Sequence, residues 1–258
     1  MIHTKEEPPV LLVTIDNPGK LNAFGHQDGK DLAEIWTMMA QRDDLLVAII
    51  TGAGDRSFIA GVDLADLGNI TDVVGTFWHR PDRGYGHGLE SGLRLWKPVI
   101  AAINGYCVGQ GLVVALGADI RLCSDNATFS MPEVKIGVNT AVGSSLLASQ
   151  IGWSNAADMC LGCAVYTAQD ALRTGLVSRV YPQADLMPAA RELAERIASF
   201  SPLAVQATKE VMVRSRDMTL EQAQTLGEAL RLYIKSSADF SEGFAAMREK
   251  RAPAFKGR

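Results

Sequence analysis

The chain alternates short apolar runs with amphipathic stretches and then, near its end, turns to amphipathic stretches alone. Val10-Leu11-Leu12-Val13-Thr14-Ile15 is strand-like and is closed by the turn Asn17-Pro18-Gly19. Leu32, Ile35, Trp36 and Met39 recur at helical spacing and predict a first amphipathic helix. Residues 46–51 read as a second, buried strand ended by Gly52-Ala53-Gly54, and residues 99–104 as another. A glycine-rich turn, a short helix over residues 112–116 and a strand over 119–124 follow. Residues 67–85 mix helix-like and loop-like positions, and a mobile or variable segment is expected there. From Ser201 onward the pattern is helical. Ser201-Pro202 supplies an N-cap and a first-turn proline, Thr219 and Gln222 a capping box ahead of Leu226 and Leu230, and a last helix passes through Phe244 and Met247 toward Lys250. The alternation of strands and helices predicts an α/β chain closed by helices.

Composition narrows the function. At 258 residues, with 47% hydrophobic and 21% charged positions, the chain can bury a sizeable core. A net charge of −4 supplies no broad basic face, so a nucleic-acid partner is not expected. The apolar run over residues 98–120 is interrupted by Asn104, Gln110, Asp119 and glycines, which predicts strand, turn, helix and strand rather than a membrane span. The start of the chain carries acids and prolines but no apolar signal region, so a cytoplasmic location is expected. Cys160 and Cys163 form a C-x-x-C pair, yet all four histidines lie at or before His87, and Cys107 and Cys123 are isolated. These cysteines are therefore read as small buried hydrophobes and no metal is expected.

Chemistry concentrates in two turns of small residues, each following an apolar run: Ser57-Phe58-Ile59-Ala60-Gly61-Val62-Asp63-Leu64 and Asn104-Gly105-Tyr106-Cys107-Val108-Gly109-Gln110-Gly111. Small residues leave backbone N–H groups approachable. Two such turns meeting at one point would form an oxyanion hole, in which each donor is worth about 10²–10³ in rate.

With Met131-Pro132-Glu133 further on, these turns resemble the paired signatures of the crotonase superfamily, the enoyl-CoA hydratase/isomerase group. The likeness extends to Thr14-Ile15-Asp16-Asn17-Pro18-Gly19-Lys20-Leu21-Asn22-Ala23, to residues 168–177, and to residues 248–257, so it covers nearly the whole chain. It implies a spiral of ββα turns over residues 1–195, for acyl-CoA binding and catalysis. It also implies a helical region over 196–258 that packs for a homotrimer or a dimer of trimers.

The resemblance assigns the oxyanion donors to the backbone N–H groups of Val62 and Gln110, where the family usually has glycine at the second position. It makes Glu133 the proton-transfer group. The apolar surroundings of Glu133 would raise its pKa toward the working range. Lys20, Leu21, Ala60, Asp63, Leu64, Gly109 and Lys250 match positions that bind the coenzyme A part of the substrate; no separate cofactor is expected. Trp78, His79 and His87 fall in the segment that shapes the acyl pocket in relatives. One departure matters: Val113 stands where two-glutamate hydratases carry their other glutamate, and Ala141 where dienoyl-CoA isomerases carry an aspartate. A lone carboxylate suits Δ3–Δ2 enoyl-CoA isomerisation. Hydration or hydratase-lyase chemistry would need another group, such as Asn139 or Thr140, to hold water.

Two other classes remain as alternatives: an inactive acyl-CoA-binding protein, and a short-chain dehydrogenase suggested by Gly105-x-x-x-Gly109-x-Gly111. The latter is disfavoured because its glycine pattern should follow the first strand, and none of the five tyrosines has lysine at the required spacing. A Ser–His–Asp hydrolase finds no G-x-S-x-G and no histidine beyond His87.

Overall fold

A computed structural model describes residues 1–63 and 95–258; Leu64, Trp78, His79, His87 and the segment expected to vary at 67–85 lie outside the described residues. The strands are β1 (Ile2–Glu7), β2 (Val10–Ile15), β3 (Val47–Gly52), β4 (Ser57–Ile59), β5 (Val99–Ile103), β6 (Tyr106–Val108), β7 (Ile120–Ser124), β8 (Thr128–Ser130), β9 (Tyr166–Thr167) and β10 (Arg179–Tyr181). The helices are α1 (His26–Gln41), α2 (Gln110–Leu116), α3 (Ala141–Ile151), α4 (Trp153–Cys160), α5 (Ala168–Thr174), α6 (Gln183–Ala198), α7 (Pro202–Arg214), α8 (Leu220–Lys235) and α9 (Ala238–Glu249).

The strands form two sheets, one in the order β1-β2-β3-β5-β7-β10 and one in the order β4-β6-β8-β9. Pairing is parallel except at the β1–β2 hairpin and between β8 and β9. The hairpin strand β1 is absent from the sequence expectations. Its inner residues are exposed, so no apolar alternation announces it. Every residue of β3 and β5 is buried, as expected of parallel strands covered on both faces. Their alternate side chains feed two cores. Ala48, Ile50, Ala101 and Ile103 join the cluster that holds Leu32, Trp36 and Met39 of α1. Val47, Ile49, Ile100 and Ala102 meet Leu186, Ala190, Leu193 and Ala194 of α6, a helix that spans the boundary expected at residue 195.

The run at 98–120 resolves into β5, a turn, the unexpected strand β6, a second turn, α2 and the start of β7, and α2 begins at Gln110, two residues before the expected 112. Among the described residues no helix is long and apolar enough to cross a membrane. All four cysteines are free and buried. The Thr219–Gln222 capping box forms. Ser201 takes the N-cap position, but its hydroxyl donates to Asp239 Oδ2 at 3.0 Å instead of capping α7. The C-terminal helices are fastened to the sheet by Lys209 of α7. Its buried ammonium donates to Asp119 Oδ2 at 2.6 Å and to the Lys97 carbonyl at 3.0 Å, at the entry to β7 and β5.

Two buried asparagines tie the loops that lead into the glycine turns. Asn104 donates to the carbonyls of Gly52 and Gly54, at 2.8 and 2.7 Å, and accepts from the Gly52 N–H. Asn22 donates to the carbonyls of Ala53 and Ser57, at 3.0 and 2.7 Å. Replacing Asn104 by alanine leaves these backbone groups unpaired in the interior. Asn104→Ala should lower the unfolding free energy by about 3 kcal/mol, read from urea denaturation.

Candidate active site

Three segments distant in sequence leave the carboxyl ends of three neighbouring parallel strands. The turn at residues 60–63 follows β4, the turn at 109–111 follows β6, and Met131-Pro132-Glu133 follows β8. Ile59 is in register with Cys107, and Val108 with Ser130. Neighbouring strands lie about 4.8 Å apart, so the three exits are side by side. This is the end of a parallel sheet at which α/β proteins place ligands.

The first turn is held from one edge. The Phe24 N–H donates to the Gly61 carbonyl at 2.9 Å, and the Asp63 N–H to the Phe24 carbonyl at 3.1 Å. Phe24 and Val62 thus form a parallel bridge, in which the N–H of Val62 points away from Phe24. In the second turn Gly109 adopts φ 54° and its N–H donates to the Ser130 carbonyl at 3.0 Å. The backbone N–H groups of Val62 and Gln110 have no acceptor among the described residues. A Cβ added at Gly111 would sit 2.2 Å from the Ile59 carbonyl oxygen, so only glycine lets the first turn of α2 lie against the end of β4.

Glu133 is seated on the second turn. A Cβ at Gly109 would lie 3.1 Å from Glu133 Oε1 and 3.7 Å from its carboxyl carbon. Glu133 Oε2 is buried and has no hydrogen-bond partner among the described residues. Burial lifts its carboxyl above the ordinary carboxylate value, and its own backbone N–H opposes that shift. Lys135, the cation next along the chain, is exposed, and no ion pair joins it to Glu133 among the described residues. Val113, one helical turn into α2, is 5% exposed and belongs to the apolar core. The Thr140 hydroxyl lies 3.8 Å from the Met131 sulfur, Asn139 is exposed, and Ala141 opens α3 on the surface.

Of the residues expected to bind coenzyme A, four are brought together around the first turn. The Ala60 N–H donates to the Leu21 carbonyl at 3.2 Å, and the Ser57 hydroxyl donates to the same carbonyl at 2.7 Å. Lys20 Nζ donates to Asp63 Oδ2 at 2.6 Å, so its charge is already matched. Gly109 belongs to the neighbouring turn. Lys250 is elsewhere in the fold, exposed as the left-handed cap of α9, and no hydrogen bond of its side chain links it to these turns. Leu64 lies outside the described residues.

Two features escape sequence reasoning. Cys160, at the end of α4, comes close enough to Glu133 for the carboxylate to add to burial in raising its thiol. Nothing in the spacing of a C-x-x-C pair points to that neighbour. The second is the Gln110 carboxamide, whose Oε1, like Glu133 Oε2, is buried without a partner among the described residues. The glutamine in place of the usual small residue was the available signal. Unpaired buried acceptors are rare inside proteins; among the described residues Gln150 Oε1 and Gln183 Oε1 share the condition.

A family model described as Enoyl-CoA hydratase/isomerase matches residues 5–258. The (E)-benzylidenesuccinyl-CoA hydratase of Thauera aromatica is 39% identical over 252 residues, 96% of each chain. The carnitinyl-CoA dehydratase of Escherichia coli K12 is 37% identical, over all of this chain and 98% of the relative. Among solved structures, an enoyl-CoA hydratase from Bacillus anthracis superposes with a TM-score of 0.91 at 27% identity, covering 100% of this chain and 99% of that one. One from Mycobacterium tuberculosis H37Rv superposes with a TM-score of 0.89 at 30% identity and the same coverage.

The raised carboxyl makes a prediction about stability. A folded-state pKa above the unfolded one means that the folded chain holds its proton longer. Stability then falls as pH rises from the unfolded value through the folded one, and levels off above it. Glu133→Gln removes this slope. Its melting temperature should match that of the wild type in acid and exceed it at neutral pH; equal melting temperatures throughout would contradict the buried, unpaired carboxylate.

Proposed function

The chain belongs to the enoyl-CoA hydratase/isomerase family, and we propose that it acts on an acyl-CoA thioester through an enolate. In this proposal the N–H groups of Val62 and Gln110 hold the thioester oxygen as negative charge develops there. Glu133 takes a proton from the acyl chain and returns one. The observation that carries this is the seating of Glu133 against Gly109, with Oε2 buried and unpaired beside a turn whose next N–H is also unpaired. Such donors stabilise the enolate most where water is excluded. The raised pKa suits a group that must both accept and release a proton near neutrality.

The residues so assigned are sufficient for moving a proton from one carbon to another, the Δ3–Δ2 isomerisation suggested by apolar Val113. A second reading, reversible addition of water to a 2-enoyl thioester, is favoured by the hydratase and dehydratase names of the relatives and by the unpaired Gln110 acceptor. The coenzyme A part would lie against Lys20, Leu21, Ala60, Asp63, Leu64 and Gly109. Lys20, already neutralised by Asp63, contributes its stem and backbone more than free charge. Exposed Leu220, Leu232, Tyr233 and Met247 on the last two helices support self-association as a trimer or dimer of trimers, with Lys250 serving a neighbour's coenzyme A. The dehydrogenase alternative is set aside, because Gly105–Gly111 brackets β6 of the smaller sheet instead of following a first strand.

The test is incubation with panels of trans-2-, cis-3- and trans-3-enoyl-CoA, with products identified by mass and chromatography. Glu133→Gln should slow every reaction seen by about 10²–10⁴-fold. Unchanged turnover of all of them in this variant would remove Glu133 from the chemistry. The inactive-binder alternative requires that the wild type turn over none of the panel.

A further inference from the structure

Water addition needs more than a base. The water's lone pair must face the β-carbon, so its two hydrogens must be held by two acceptors. The site offers Glu133 as one. The position of the second carboxylate in two-glutamate hydratases is occupied by Val113, which is packed into the core and accepts nothing. Thr140 is buried with its hydroxyl donating to the Met131 sulfur, and Asn139 is exposed.

Gln110 supplies what Val113 lacks. Residues 110 and 113 lie on one face of α2, and side chains on a helix lean toward its N-terminus. A carboxamide at 110 that leans this way would overhang Gly109, against which the Glu133 carboxylate rests. Gln110 Oε1 is buried and unpaired among the described residues, and so is Glu133 Oε2. Leaving two buried acceptors unmatched is unfavourable unless a donor arrives, and one water molecule carries the two hydrogens they require.

We propose that Gln110 is the second water-holding group of this site, a positioning residue acting through its side chain in addition to its backbone N–H. This rests on the water-addition reading above. In the step, Glu133 takes one hydrogen of the water while Gln110 Oε1 keeps the other. The water oxygen bonds to the β-carbon, the double-bond electrons pass through the α-carbon to the thioester oxygen, and protonated Glu133 then delivers its proton to the α-carbon. One 2-enoyl thioester and one water give one 3-hydroxyacyl thioester, and Glu133 ends as it began. Glutamine does not ionise, so the acceptor pair carries a single titrating group and no like-charge repulsion.

The test separates water capture from enolate formation. Hydration is followed on the best-used member of a trans-2-enoyl-CoA panel that includes crotonyl-CoA. Enolate formation is followed by deuterium entry at the α-carbon of the matching saturated acyl-CoA in heavy water. Gln110→Leu should lower hydration roughly a hundredfold and deuterium entry less than about tenfold, because misplacing water affects only the former. Gln110→Glu, which restores an acceptor, should recover hydration over the leucine variant. Equal losses in both measurements, or no loss of hydration, would overturn the proposal. Wild-type protein that exchanges deuterium but never hydrates would refute the water-holding role while the enolate mechanism stands. Wild type that does neither would fail the enolate mechanism, and this inference with it.

Discussion

The site depends on how closely the first turn of α2 approaches the end of β4. A single methyl group at Gly111 would press to 2.2 Å from the Ile59 carbonyl, and one at Gly105 to 2.1 Å from the Arg56 carbonyl. Backbones can come this near only where side chains are absent. The two contacts bracket β6 and set its exit beside that of β4. Everything else follows from that registration: the unpaired N–H groups at Val62 and Gln110, the cradle at Gly109, and the seat it gives to the carboxylate arriving from β8. Asn22 and Asn104 hold the same arrangement from behind, since their side-chain amides donate to carbonyls at the end of β3, in the loop that follows and at the start of β4.

The electrostatics are sparse. Glu133 is the ionisable group seated on the second turn, against Gly109, and its charge reaches the Cys160 thiol. With no cation paired to it among the described residues, burial decides its proton affinity. A partner such as Lys209, which meets Asp119 at 2.6 Å, would stabilise the anion and blunt it as a base. Lys20 is the cation nearest the first turn by hydrogen bonding, and it is matched by Asp63. In the proposed mechanism the charge of an enolate is therefore left to backbone dipoles, which are fixed in place before substrate arrives.

Much of this was legible in the sequence because it rests on local rules. Buried parallel strands read as continuous apolar runs, and the glycine turns marked where backbones approach. The Thr219–Gln222 box marked a helix start correctly. The misreadings share a cause: a long-range partner replaced the local one. Ser201 has the chemistry of a cap, but Asp239, also engaged with the backbone of Lys256 and Gly257, lies within reach and takes its hydroxyl. β1 exists because β2 offers it an edge, although its own sequence is mostly polar. The proximity of Cys160 to Glu133 depends on how α4 folds back toward β8, which no spacing within either segment encodes. Gln110 was visible as an oddity, yet only coordinates reveal that its carbonyl oxygen is enclosed and unmatched.

The fastening of α7 bears on modularity. Lys209 joins the C-terminal helices to Asp119, and the same Asp119 oxygen accepts from the Val99 N–H that opens β5. Exchanging those helices for ones that lack the lysine would leave a desolvated, unpaired anion at the root of the two strands that frame the glycine turn. The C-terminal helices and the strand core are thus one inheritable unit. A chimera that recombines them must carry the lysine across the joint.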